Sequence, residues 1–350
     1  MKRRDFLKTT AAAFALPLIA APAVHAQQKR FSGVTLRING YGGNYDKALI
    51  EGVAKPLEEK TGLKVEYFAA PVQGEVVKLI SNKGNPHVDL LMVDNNLMPE
   101  LIAADVLDPI KVSDVPNVSR ILPGYREFND FGAPFAVSSL VPVFNSDNIK
   151  PALTGYADIA RSDLKGKVAI PGTTITASAL VLLALAEANG GSVSNMEPAF
   201  KFLAEAKDNV VATPNSTVAQ LQLFSQGEAQ AGIFWDGRAY ELRQSGVPIQ
   251  TVVPKEGIYA VSSYVNLVKG GRNREAALAY IEQALSDQGQ LALPKAFRFG
   301  ATTNVALGEL LPDILLNSPE RVAMKRKVDW AALMKQRGEL AERMNKVLRG

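Results

Sequence analysis

Val88-Asp89-Leu90-Leu91-Met92-Val93 is a dense apolar run that ends on Asp94-Asn95-Asn96. Such a run fits a strand buried on both faces, the habit of sheets covered by helices on either side. The polar triplet then turns into a helix reaching about residue 104. Upstream, Val34-Thr35-Leu36-Arg37-Ile38 reads as a first strand. Tyr41-Gly42-Gly43-Asn44 is a glycine turn, and Ala48, Leu49, Val53, Ala54 and Leu57 mark one face of the helix that follows, stopped by Gly62. Val65-Glu66-Tyr67 is a short strand, and 75–81 is helical.

Downstream, the extended passage 131–139 leads to a second block of the same kind. Lys167-Val168-Ala169-Ile170-Pro171 is a strand, and 176–187 a helix ended by Asn189-Gly190-Gly191. Ser194 and Glu197 have the spacing of a capping box. Helices are expected over 215–226, 238–245, 274–286 and 328–348, with strands at 231–234 and 261–268. Alternating strands and helices predict an α/β protein. Two such blocks joined by two extended passages predict two lobes, 27–135 plus 266–350 and 138–260, with hinge crossovers near 134–139 and 258–266. Each lobe is expected to be a mixed sheet flanked by helices. Lobes of this kind meet across a cleft lined by loops at strand C-termini.

Composition narrows the chemistry. The 350 residues include no cysteine and two histidines, His25 and His87. Thiolate metal sites, disulfides and cysteine nucleophiles are therefore excluded, and a zinc site would rest almost wholly on carboxylates. No P-loop or dinucleotide glycine turn is present. No metal and no cofactor is expected. Residues 1–26 read as an export signal: Lys2-Arg3-Arg4-Asp5-Phe6-Leu7-Lys8, an alanine-rich apolar stretch, and Val24-His25-Ala26 before a cleavage site. Arg3-Arg4 followed by Phe6-Leu7-Lys8 resembles a twin-arginine signal, which places the mature chain in the periplasm. The net charge of +4 falls to +1 beyond the signal, with 35 basic against 34 acidic residues. That balance gives no reason to expect nucleic acid as a partner.

Five stretches carry a family resemblance. They are Ala54-Lys55-Pro56-Leu57-Glu58-Glu59-Lys60-Thr61-Gly62-Leu63-Lys64-Val65; Asp89-Leu90-Leu91-Met92-Val93-Asp94; Asp158-Ile159 with Leu164-Lys165-Gly166-Lys167-Val168-Ala169-Ile170; Ala231-Gly232-Ile233-Phe234-Trp235-Asp236-Gly237 with Gly246-Val247-Pro248-Ile249 and Pro254-Lys255-Glu256-Gly257; and Gly300-Ala301-Thr302-Thr303-Asn304. In order and spacing the chain resembles periplasmic substrate-binding proteins of the spermidine/putrescine type. The resemblance implies the two-lobed type II periplasmic binding fold, a small-molecule ligand, an inner-membrane ABC permease as partner, a monomer, and no catalysis. Two charge partners of polyamine binders are missing: the second-lobe loop reads Gly172-Thr173-Thr174-Ile175-Thr176 and the late aromatic-x-acid triplet reads Ala260-Val261-Ser262.

The candidate ligand contacts follow. Trp235 is placed to stack on ligand or to fill a core. Asp236 either binds an amine or caps the next helix. Thr173, Thr174 and Thr176 at a helix start suit a carboxylate or phosphonate. Tyr41, Gly42, Gly43 and Asn44 offer a turn that lets backbone approach ligand. Asp94 and Asn96 sit on the site loop. Ser138, Tyr259 and Ser262 lie in or near the crossovers, Arg238 either clamps a ligand carboxylate bidentately or is a solvated helix residue, and His87 reads as a surface loop residue. A small zwitterion fits best, its amine near Asp94 and its acid near 173–176. A true polyamine receptor, a twin-arginine-exported enzyme and a ferric-ion binder are the alternatives.

Overall fold

The computed structural model describes residues 29–173 and 177–349. The export signal, Thr174 and Thr176 lie outside the described residues. The first block runs β1 (Thr35–Gly40), α1 (Gly43–Leu49), a π turn (Ile50–Ala54), α2 (Lys55–Thr61), β2 (Lys64–Ala69), α3 (Val72–Ser81), β3 (Leu90–Asp94) and α4 (Met98–Ala103). The long strand β4 (Ala133–Asn145) leads into β5 (Val168–Ala169), α5 (Ala177–Ala188), α6 (Glu197–Ala206), β6 (Val210–Ala212), α7 (Thr217–Ser225), β7 (Ala231–Trp235), α8 (Asp236–Gln244) and β8 (Ile249–Thr251). The chain returns along β9 (Tyr259–Leu267) to α9 (Arg274–Ala284), α10 (Asp287–Gln290), α11 (Ala292–Phe297) and α12 (Pro319–Ala323), and ends in α13 (Trp330–Lys335) and α14 (Arg337–Arg349).

Strand order is β2-β1-β3-β9-β4-β7-β5-β6, with β8 beside β4. The halves are built alike. In each, three parallel strands carry one antiparallel strand on the inner side: β9 on β3, and β4 on β7. Residues 263–267 of β9 pair β3, and residues 259–265 pair β4 over 133–140 on the other edge. The end of β4 then pairs β7. The β4–β9 ribbon therefore joins the halves, and it runs through both segments expected as crossovers.

β3 is buried on both faces, as its apolar run implies. Leu90 and Met92 enter one core with Leu36, Leu49 and Ile281, while Leu91 and Val93 enter another with Val76 and Leu101. β7 does the same in the second half, with Ile233 in one core and Phe234 in another. Gly62 ends α2 in the left-handed conformation that glycine adopts without a Cβ penalty, and its N–H bonds Glu58 O at 2.8 Å.

Three expectations need correction. The stretch 328–348 is two helices broken at Gln336: α14 packs on α5 and α6 of the second half, while α13 bridges the second core and α4 of the first half. Trp330, Leu333, Leu340 and Met344 pack into the second core. The reason lies in α5, which buries every side chain from 177 to 186 and needs apolar cover on all sides. The Ser194–Glu197 capping box does not form. α6 starts at Glu197 behind Met196 with no side-chain cap, and Ser194 bonds Ser192. His87 lies in a loop as expected, but it is half-buried rather than on the open surface, its Nε2 lying 2.6 Å from Glu75 Oε2.

Candidate ligand-binding site

The C-terminal ends of β1 and β3 deliver the first components. The Gly42-Gly43 turn takes positive φ at both residues, 80° and 59°, which a side chain would disfavour. The Tyr41 N–H bonds Asp46 Oδ1 at 3.0 Å across it. Tyr41 is thereby held against the end of β3, where its hydroxyl donates to Asp94 Oδ1 at 3.1 Å. β9 pairs Ser263 opposite Asp94, and the Ser263 hydroxyl donates to the same Oδ1 at 2.9 Å.

Burial raises the Asp94 pKa, and the two hydroxyl bonds oppose that rise. No lysine or arginine is among the described groups acting on it. Burial and the Asp94 carboxylate hold the Tyr41 phenol well above its ordinary range, so it remains protonated. Both hydroxyl protons are thus committed to Asp94. What Tyr41, Ser263 and Asp94 can still offer is lone pairs, an acceptor-only cluster.

The second half contributes Trp235, at the end of β7, half-buried. Two cavities meet here. One of about 850 Å³ is lined by Tyr41, Gly42, Gly43, Asn44, Ser138 and Arg238, among others. The other, of about 270 Å³, is lined by Asn96, Trp330 and Arg337, among others. Asp94, Trp235 and Val261 line both, so the two spaces are parts of one cleft.

Eight of the expected contacts therefore converge: Tyr41, Gly42, Gly43, Asn44, Asp94, Asn96, Ser138 and Trp235. The other described ones do not. Asp236 is buried (6% exposed) and lines neither cavity. Its Oδ1 accepts from the Ser138 hydroxyl at 3.0 Å and from the Gly237 N–H at 2.8 Å. It therefore aims Ser138 toward the cavity, and α8 starts at Asp236 behind Trp235 with no side-chain cap on the Trp235 position. Burial pushes the Asp236 carboxyl up to about 6. Tyr259 is in the second core, its hydroxyl bonded to Glu187. Ser262 is fully buried, because alternate residues of a strand face opposite sides. Its neighbours Val261 and Ser263 face the cleft in its place. Thr173 turns toward α14, its hydroxyl accepting from Asn345 Nδ2 at 3.1 Å.

Several lining residues were not expected. Ser263 was detectable by shifting the β9 register one residue. Arg238, for which the sequence left two readings, lines the larger cavity beside Glu241, with which it pairs at 2.7 Å. Tyr45, Phe297 and Phe299 form an aromatic wall, with Tyr41 and Tyr45 centroids 4.7 Å apart and Phe297 and Phe299 5.3 Å apart. Trp330 and Arg337 come from helices whose packing the sequence pattern assigned to the other half.

A sequence model of bacterial extracellular solute-binding proteins matches residues 52–315. The spermidine/putrescine-binding periplasmic protein of Escherichia coli is 22% identical over 281 residues, covering 78% of this chain and 80% of that protein. Among solved structures, an ABC transporter protein from Clostridium perfringens aligns with a TM-score of 0.77 at 22% identity, over 90% of this chain and 99% of the other. A GABA receptor aligns with a TM-score of 0.73 at 20% identity, over 90% of this chain and 97% of the other. These likenesses match the two-lobed fold expected from the sequence.

Proposed function

The chain belongs to the bacterial extracellular solute-binding proteins, and from that premise we propose that its cleft captures a small solute through a primary ammonium group on Asp94. The acceptor-only cluster of Asp94, Tyr41 and Ser263 carries this reading. A primary ammonium has three N–H donors and no acceptor, so it satisfies such a cluster, whereas a carboxylate would meet lone pairs with lone pairs. A half-buried carboxylate carries a desolvation cost, and a ligand ammonium bound to it offsets that cost. The half-buried Trp235 indole adds stacking and cation–π attraction, worth about 0.5–2 kcal/mol.

Closure follows from where these groups sit. Asp94 ends a strand of the first half and Trp235 a strand of the second, and the β4–β9 ribbon joins them. A solute touching both gains contacts only when the halves approach, so it shifts the hinge equilibrium. Moving from ~1% to ~99% closed takes about 5.5 kcal/mol of differential affinity. In this reading the closed form is what an ABC permease of the inner membrane recognises. The Arg3-Arg4 signal sends the folded chain to the periplasm, where it works as a monomer, binding rather than converting its solute.

Titration calorimetry with alkylamines, amino acids, diamines and amine-free carboxylates tests the amine site. Amine-bearing solutes should bind, and Asp94→Asn should weaken them by about 2–5 kcal/mol, the usual loss when one partner of a buried charge pair is removed. Affinity should also fall on acidification in the wild type, because protonating Asp94 removes the counter-charge, and stay flat in Asp94→Asn. Binding of amine-free carboxylates alone would overturn the reading.

A further inference from the structure

The smaller cavity carries charge of both signs. Asp94 and Arg337 line the same space of about 270 Å³, together with Trp235, Trp330, Gln73 and Asn96. That volume lies just below the roughly 300–1,000 Å³ of pockets for drug-sized molecules, and it suits a small solute. Arg337 is the first residue of α14 and Trp330 the first of α13. Trp330 is firmly placed. Its ring is 3% exposed in the second core, and its Nε1–H donates to Glu127 Oε2 at 3.1 Å. The same Glu127 accepts from Asn95, the neighbour of Asp94, and pairs with Lys325 at 2.6 Å. The C-terminal helices are thus tied to the loop that holds the cleft carboxylate.

A guanidinium stays charged at every relevant pH and pairs with carboxylates through two parallel N–H bonds. We infer that the C-terminal helices supply the anion-binding end of the cleft: the solute is a zwitterion with its ammonium on Asp94 and its carboxylate on Arg337. This rests on the amine site proposed above. It assigns the acid end to Arg337, where the sequence pattern had assigned it to 173–176. It also disfavours a diamine, whose second ammonium would face a fixed cation. Residues 330 and 337 lie outside the segment matched by the family, 52–315.

The test is calorimetric titration of the mature chain with the ω-amino acids from glycine to 6-aminohexanoate, their terminal amides, the matching n-alkylamines and the matching diamines. In the wild type the best ω-amino acid should bind roughly 10- to 100-fold tighter than its amide, the span of one charge-assisted pair. Arg337→Gln should erase that difference and strengthen diamine binding, and Arg337→Lys should restore part of the preference. Opposite changes for acids and diamines separate a contact from a merely structural role. The amide comparison needs no variant, so it stands even if Arg337→Gln folds poorly. Equal binding of acid and amide in the wild type overturns the inference. So does an Arg337→Gln protein that keeps the preference. Alkylamines that bind while no amino acid does would overturn this inference alone and leave the Asp94 site standing. No binding by any amine overturns both.

Discussion

Asp94 and Asp236 are both carboxylates at strand ends, and their partners separate their roles. Asp94 receives its two hydrogen bonds from side chains that line the cleft, whereas Asp236 is sealed behind Ser138 and Gly237. Burial raises the Asp236 pKa to about 6, above the ~3.9 of an unfolded aspartate. The folded chain therefore holds that proton more tightly than the unfolded one. The stabilisation is full below pH ~4 and is lost as pH rises through about 6. Asp236→Asn keeps the Oδ1 acceptor without the buried charge. It should not lose stability as pH rises from ~4 through about 6, where wild type does, read from urea midpoints across that range. Removing Glu127 should act the other way. Glu127→Ala leaves the Lys325 side chain, 6% exposed, without its counter-ion, and should cost about 3–5 kcal/mol of unfolding free energy.

Elements fix which side chains reach the cleft. β9 shows it directly, since a one-residue shift of register exchanges Ser262 for Val261 and Ser263. In β7, Gly232 lies so close to the Ala169 carbonyl that an added Cβ would strike the β5 backbone. Gly232→Ala should therefore destabilise by about 1–3 kcal/mol, visible in urea denaturation, and should loosen Trp235 at the end of the same strand. α7 begins behind Ser216, whose hydroxyl accepts from the Ala219 N–H at 3.1 Å. Ser216→Ala should cost about 1 kcal/mol, and because Thr217 lines the larger cavity, solute affinity is the second readout. At the N-terminus, replacing Arg3 and Arg4 by lysine should leave uncleaved precursor in the cytoplasm, detected by fractionation.

At the scale of the molecule, the proposed zwitterion would engage Asp94 at the end of β3 and Arg337 at the start of α14. A solute at a hundredfold excess over its dissociation constant should add about 2.7 kcal/mol of stability, measurable as a rise in melting temperature. The alternation of strands and helices, the doubly buried β3, the two connecting strands and most of the first-half cavity lining were legible from the residues alone. Each rests on local signals: apolar runs, glycine turns, and polar residues at strand ends. Two kinds of information were not local. One is the side to which a residue of a twisted strand points, which depends on the register that β9 takes against β3. The other is the destination of the last helices. The amphipathic pattern of 328–348 announces an apolar face without naming its partner, and only the packed chain shows that α5, apolar on every side, is the surface left to cover. Sequence thus set the elements and the chemistry at their ends. Tertiary packing alone brought Trp330 and Arg337 beside Asp94, because burial of apolar area is non-directional and takes whichever complementary face the rest of the fold leaves open.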